Sequence, residues 1–533
     1  MPMARSDSHT AWTGSRALIV PDQIERAAKR FGSLPAIMCQ HETRTFAEID
    51  ERSTRLANAL LALGLKTGDR VVSMLKNSIR CVELDFGLAK AGLVRVSVNP
   101  RSTAKELAYI AINSDAKCVI YGEAFASEIE ELREETQHEV ETWIEIGNRA
   151  VDGRSLAYER LLDEASTIRP RPALDAEDLY CLFYTSGTTG RPKGVMLSHR
   201  AILQVSVNLM LEVGPQGPGE KVLLMQPMSH GAGFFVLPWF VRGGISVIME
   251  DFDVAETIRL AKSLEIETIK LVPTMLQRLL RQPELTAEDF PRLRQIIYGA
   301  SPMPAEALRE ALSKFGGKLV QIYGQSEAPV TLTCLAKEDH VLGDDTERLT
   351  SAGLPWPTIE LKVLGMDGST PGSNGIGEIV VRAPHVMSGY WKLPQLTSEV
   401  LTDGWLRTND MGRIDESGFV YLVGRRDEMI ISGGYNIAPR EVEEILYLHP
   451  AVQEAAVVGE PDPEWGNSVI AYVALKLEAN ESQIIDFVKS HIGFKRPKRI
   501  YRVTELPKNA NGKILKSALT PQLALGWKAE SIS

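Results

Sequence analysis

Between residues 45 and 122 the chain alternates short, almost wholly apolar segments with amphipathic ones that carry their own start and stop signals. No other feature restricts the fold as much. Thr45 with Glu48 forms a capping box, and Phe46, Ile49, Leu56, Leu60 and Leu63 then recur close to helical spacing, which predicts a helix over about 45–63. DRVVSML (69–75) predicts a strand, 78–91 a helix stopped by Gly92, VRVSV (94–98) a strand, 103–114 a helix opened by a second capping box between Thr103 and Glu106, and KCVIYG a strand. That is a β-α-β-α-β run. Its strands show little polar alternation, which points to a parallel sheet covered on both faces.

The same grammar returns between 195 and 325, where VLLMQPM, ISVIM, IKLVP, QIIYGA and KLVQIYG are short buried strands separated by helical stretches, and it predicts a second sheet. From 351 to 424 the pattern changes to glycine- and proline-rich segments such as GEIVVRA and GFVYLVG, which suit a small barrel or antiparallel sheet. After GRRDEMI the chain restarts with a helix (REVEEILYLH), two strands, a helix (SQIIDFVKSHI) and a terminal strand (RIYRV). The expected architecture is therefore α/β: an N-terminal domain, 1–426, of two parallel α/β sheets plus a small β-barrel, and a small α+β C-terminal domain, 427–533. A length of 533 residues accommodates this, since it corresponds to roughly three to four units of ordinary domain size.

Composition narrows the partners. Lys and Arg total 59 against 69 acids, a net charge of −10, which argues against a broad basic surface for nucleic acid or anionic lipid. The most apolar stretch, GAGFFVLPWFV at 231–241, is only 11 residues and too short to span a bilayer. The five cysteines are scattered and never in C-x-x-C, so neither a disulfide framework nor a zinc site is expected. The first residues carry no apolar segment of a secretory signal, and a cytoplasmic location is the expectation by elimination.

One stretch is built for phosphate. In YTSGTTGRPKGV (184–195), Gly187 and Gly190 permit close backbone approach, Thr185, Ser186, Thr188 and Thr189 offer hydroxyl donors, and Lys193 adds a positive charge. It does not fit G-x-x-x-x-G-K-[ST]. A flexible linker would have this composition too, but apolar LYCLFYT leads directly in and VMLSHRAIL directly out.

Together with YGQSE (323–327), GWLRTND (404–410), GRRDEMIISGGYN (424–436) and PKNANGK (507–513), this stretch resembles the ordered motif set of the acyl-adenylate-forming superfamily, in the branch of AMP-forming acyl-CoA synthetases. Order and spacing match from about residue 30 to 520. The resemblance implies a ligase that joins a carboxylic acid to AMP with release of pyrophosphate and then passes the acyl group to the thiol of CoA, with ATP and CoA as co-substrates and Mg²⁺ as cofactor. Residues 185–190 and Lys193 are implied to hold the outgoing phosphates, and Glu327 to ligate Mg²⁺. Ser326 stands where relatives commonly have Thr. Tyr323, in Tyr323-Gly324-Gln325-Ser326, is implied to stack on adenine, although a core aromatic at a strand end reads the same way. Gly299, Ala300 and Ser301 would approach the base edge, and Asp410 would accept the ribose hydroxyls with Arg425 beside it. Lys513 follows an Asn-Gly turn and is implied to stabilise the transition state of adenylation; taken alone it reads as a surface lysine.

Asp427 matches the hinge position, about which the small domain is implied to swing so that the two half-reactions alternate. Ser432, Gly433 and Gly434 would then line the thiol's tunnel, and Lys495, Arg496 and Lys498, in GFKRPKR, would meet the phosphates of CoA or read as a solvated basic turn. The acyl pocket is expected between the sheets, from His230, Gly231, Phe234, Phe235, Ala300, Met303 and Ala328. His230 is either a gate or a satisfied, half-buried histidine. No acidic residue occurs between Gln226 and Met249, which disfavours an α-amino acid, and the small residues leave room for a bulky or long apolar acid. The alternative acceptor is a separate carrier protein. Neither nucleic acid nor integral membrane association is expected.

Overall fold

The computed structural model describes residues 18–136, 139–147, 153–185, 191–301, 303–340, 347–365, 368–508 and 514–525. Among the described residues the strands form four sheets, and the first two face each other across the main core.

The eight-stranded sheet contains the β-α-β-α-β run. Its order is Gly389–Tyr390, Lys193–Ser198, Leu179–Thr185, Val94–Val98, Arg70–Met74, Ala116–Gly122, Thr142–Ile146 and Leu156–Ala157, parallel from Leu179–Thr185 onward. Both capping boxes are present as hydrogen-bonded pairs, Thr45 with Glu48 and Thr103 with Glu106, at the starts of the helices Phe46–Ala62 and Ala104–Asn113. Each satisfies two backbone donors that a helix start leaves without partners. Gly92 ends the helix Ile79–Ala91 in the left-handed conformation.

The nine-stranded sheet has a parallel centre of Leu319–Gln325, Gln295–Gly299, Thr268–Leu271, Lys221–Leu224, Ile245–Ile248 and Pro35–Cys39, with antiparallel strands at both edges. Pro35–Cys39 comes from the start of the chain, so the N-terminal hairpin completes the second sheet and not the first that follows it in sequence. The helix Val20–Phe31 packs beside it and buries Val20, Ile24 and Phe31 in the main core.

Residues 360–425 build the expected antiparallel sheet, Glu360–Leu364, Gly377–Arg382, Trp405–Ile414, Leu401–Thr402 and Val420–Arg425. Two short pieces depart from it: Leu354–Pro355 extends the nine-stranded sheet and Gly389–Tyr390 the eight-stranded one. The C-terminal part has its own sheet and its own core of Ile430, Val442, Leu446, Val457, Ala471, Val473, Ile484, Val488 and Ile500. A separate core is what permits a part to move as a body. Among the described residues no helix is long and apolar enough to cross a membrane.

Candidate active site

Strands Leu179–Thr185 and Lys193–Ser198 form an antiparallel hairpin in which Thr185 lies opposite Lys193. Both ends of the phosphate-type loop are therefore anchored in a sheet; Ser186, Gly187, Thr188, Thr189 and Gly190 lie outside the described residues. A second hairpin comes from the other sheet. Gln325 pairs with Ala328, which leaves Ser326 and Glu327 as the two-residue tip between Leu319–Gln325 and Ala328–Leu335. Gly324 makes the crossing possible, because a Cβ there would lie 2.4 Å from the backbone nitrogen of Val330.

Tyr390 joins the two hairpins. It pairs with Val195, its hydroxyl donates to Glu327 Oε1 at 2.7 Å, and Lys193 Nζ lies 5.6 Å from its ring centre. The backbone carbonyl of Glu327 also accepts from Met387 N at 2.8 Å. Burial and the neighbouring Glu327 push the Tyr390 phenol well above its ordinary pKa, so it stays a donor. Nothing in the sequence motifs singles out Tyr390; only the pairing of the two-residue strand Gly389–Tyr390 brings it here.

The third contribution comes from the antiparallel sheet, where Asp410 stands directly opposite Arg425. Arg425 Nε lies 2.9 Å from Asp410 Oδ1, and Tyr323 donates its hydroxyl to Asp410 Oδ2 at 2.5 Å. Arg425 Nη1 also donates to the carbonyl of Thr408 at 3.2 Å. Burial alone would lower the pKa of Arg425; Asp410, Tyr323 and Glu327 overcome it and hold the guanidinium charged. Tyr323 is pushed well above the usual phenol range, first by burial and then by Asp410. Its hydroxyl thus orients the carboxylate, a task separate from the stacking expected of its ring.

At the end of Gln295–Gly299 the chain turns through Ala300 in the left-handed region, φ 73°. Ala300 is exposed and Ser301 partly buried at that corner. His230 is partly buried, bonded to Ser229 Oγ at 2.9 Å, with its ring 5.4 Å from Phe183, which in turn lies 5.8 Å from Phe234. Burial and Arg95 lower the pKa of His230 to about 4, so the ring is neutral near pH 7. Phe183 is a second residue the motifs did not reveal, and its place two residues before Thr185 links the aromatic group to the phosphate-type loop. Phe235 and Ala328 are fully buried in the core between the sheets. Met303 departs from expectation: it packs against the core cluster that includes Leu276, Leu279, Tyr298 and Leu308, on the opposite, helix-covered face of the nine-stranded sheet. Past the left-handed Ala300 the chain has left the inner face.

Asp427 is exposed within the turn Arg426–Glu428, and among the described residues no ion pair or hydrogen bond holds its side chain. Its neighbours are tied in opposite directions: Arg426 Nη1 to Glu378 Oε2 at 3.2 Å in the antiparallel sheet, Glu428 to Lys516 at 3.2 Å in the C-terminal part. Gly433 and Gly434 form the two-residue turn between Ser432 and Tyr435 with φ 57° and 82°, a backbone that glycine adopts without strain. Of the basic run, Lys495 is bonded to Glu441 at 2.6 Å and Lys498 to Asp462 at 3.2 Å, whereas no acid pairs with Arg496 among the described residues. The run is less open to an incoming phosphate than its sequence suggests. Lys513 lies outside the described residues.

The model of the AMP-binding enzyme family matches residues 24–391, and that of the AMP-binding enzyme C-terminal domain matches residues 441–513. The chain belongs to the AMP-binding enzyme family. Within it, the chain is an AMP-forming ligase of the acyl-CoA synthetase branch. It is 34% identical to a fatty acid–[acyl-carrier-protein] ligase, ScoC, of Streptomyces coeruleorubidus, over 91% of this chain and 92% of the relative. It is also 34% identical to a medium/long-chain-fatty-acid–CoA ligase, FadD8, of Mycobacterium tuberculosis, over 92% and 88%. Among solved structures, ATP-bound MatB from Rhodopseudomonas palustris superposes with a TM-score of 0.85 at 28% identity, covering 94% of this chain and 98% of that one. In this family member the Tyr390–Glu327 and Tyr323–Asp410–Arg425 groups form one electrostatic neighbourhood, since Arg425 responds to both carboxylates.

Proposed function

We propose that the protein activates a carboxylic acid with a bulky or medium-to-long apolar body as its acyl-AMP and then transfers the acyl group to CoA. The observation that carries this reading is the convergence of Glu327, Lys193, Asp410 and Arg425 from three sheets, each oriented by a neighbour.

The first step requires a carboxylate to approach the α-phosphate of ATP. Two unit charges at ~4 Å repel by about 1 kcal/mol in water and several-fold more in a drier site. Lys193 and Arg425 supply positive charge from two different sheets, and Lys513 is assigned the transition-state contact. Asp410, oriented by Tyr323 and Arg425, accepts from the ribose hydroxyls. Glu327 fits Mg²⁺, which takes one or two carboxylates plus phosphate oxygens and not an all-protein cage; among the described residues no such cage exists. Bound there, the ion would neutralise charge on the departing pyrophosphate. His230, Phe183 and Phe234 line the entrance for the apolar body, and the neutral ring of His230 adds no charge to it.

The paired state of Lys495 and Lys498 favours keeping a second acceptor in view, a separate carrier protein, as the name of the Streptomyces relative suggests. Acid-dependent ATP–pyrophosphate exchange tests the first step: it should fall about 10²-fold or more in Lys513→Ala, and unaltered exchange would defeat the assignment. Adding CoA or a pantetheinylated carrier to the loaded enzyme then separates the acceptors.

A further inference from the structure

Among the described residues two lysines are fully buried, Lys90 and Lys270. Lys90 is satisfied: its Nζ donates to Asp50 Oδ1, the Asp50 carbonyl and Ser53 Oγ at 2.7 Å each, and to Thr54 Oγ1 at 3.0 Å. Lys270 donates only to the carbonyl of Leu271, at 3.0 Å, and lies 5.8 Å from the ring centre of Phe235. Among the described residues no carboxylate meets it. An ammonium buried without a counter-ion costs several kcal/mol, and burial alone drags its pKa down to about 7.

The place of Lys270 gives that cost a purpose. It is in register with Leu224 on one side and Ile297 on the other. Both belong, with Phe235, to the core between the sheets, whereas Ile269 and Leu271 belong to the opposite face. The same face and its border hold further buried polar atoms without hydrogen-bond partners among the described residues: Trp239 Nε1, in a ring 6.0 Å from Phe235, Ser246 Oγ opposite Val222, and Gln226 Oε1 two residues past Leu224. Buried polar atoms are nearly always bonded, so several unmet ones on or bordering the same inner face as the unpaired cation point to a place for a ligand. Ile297 precedes Ala300 by three residues, which sets Lys270 roughly 10 Å below that corner at the rise of a parallel strand.

We propose that Lys270 reads the far end of the acyl substrate: the acid carries a second anionic group, in its simplest form a terminal carboxylate, at the end remote from the carboxyl that is adenylated. The inference rests on the acyl-activating reading above and deepens it, giving the apolar body a charged terminus. The pair would form where no water competes, and a site built around a polar partner rejects the analogue that lacks it far more strongly than an apolar pocket rejects a missing methylene.

The experiment compares kcat/KM for pyrophosphate release with octanedioate and decanedioate against octanoate and decanoate, in the wild type and in Lys270→Met, which keeps an unbranched side chain and removes the charge. The wild type is expected to favour the diacids by at least about tenfold. In Lys270→Met the diacids should fall about 10²-fold, as for loss of a buried ionic partner, while the monoacids hold or improve. The variant should also unfold at higher denaturant, because an unpaired buried cation has been removed; a merely structural lysine would lower the midpoint. An equal diacid-to-monoacid ratio in the two forms, or a wild-type preference for monoacids, overturns the proposal. Pyrophosphate release with monoacids in that case leaves the acyl-activating reading standing, whereas its absence from the wild type with every acid removes that reading as well.

Discussion

Tyr390→Phe isolates one atom of the proposed site. The substitution leaves the ring that Lys193 Nζ approaches at 5.6 Å and the backbone pairing with Val195, and removes only the hydroxyl that donates to Glu327 at 2.7 Å. A hydrogen bond to a charged acceptor contributes about 1.5–3 kcal/mol. If all of it serves to hold Glu327 for the metal–phosphate group, the loss corresponds to roughly ten- to a hundred-fold in rate. The Met387 N contact at 2.8 Å still fixes the backbone of the turn, so the lower part of that range is expected. The assay is acid-dependent ATP–pyrophosphate exchange titrated with Mg²⁺: the variant should need more Mg²⁺ for half-maximal exchange and reach a lower plateau, with the unfolding midpoint little changed. An unchanged Mg²⁺ dependence together with an unchanged plateau would refute the reasoning, since Glu327 would then not depend on the group that orients it.

Asp410→Ala leaves Arg425 and the Tyr323 hydroxyl without their shared acceptor; with the pair partly exposed, the stability loss should be about 1–3 kcal/mol, below that of a fully buried pair, and the KM for ATP should rise, measured by denaturant unfolding and by exchange kinetics. Four histidines give the fold a definite acid response. Burial lowers the pKa of His199, His230 and His340 to about 4 and that of His385 to about 3. The unfolded chain binds protons near pH 6.5 and the folded chain does not, so the stability they contribute is complete above pH 6.5 and is lost as pH falls toward 4. The slope is at most about 1.4 kcal/mol per pH unit for each histidine. Unfolding titrations at pH 7 and pH 5 should show the difference, and His385→Gln should reduce it.

What the sequence settled alone is whatever depends on near neighbours along the chain. The capping boxes at Thr45 and Thr103 and the stop at Gly92 were readable because the groups they satisfy lie within a few residues. The order of apolar strands and helices was readable for the same reason. So was the motif set, which gives the family and names Glu327, Asp410 and Arg425. Sheet membership and side-chain partnership were decided only in three dimensions. Pro35–Cys39 crosses to the second sheet, Met303 turns to the outer face, Lys495 and Lys498 meet carboxylates tens of residues away, and Tyr390 reaches Glu327 across a gap of 63 positions. Lys270 is the sharpest case, for in sequence it is one lysine in an apolar strand. Only the register of that strand, with Leu224 and Ile297 beside it and Phe235 near it, makes it a charge with no carboxylate partner among the described residues, because Coulomb and desolvation energies depend on distance and enclosure and not on position along the chain.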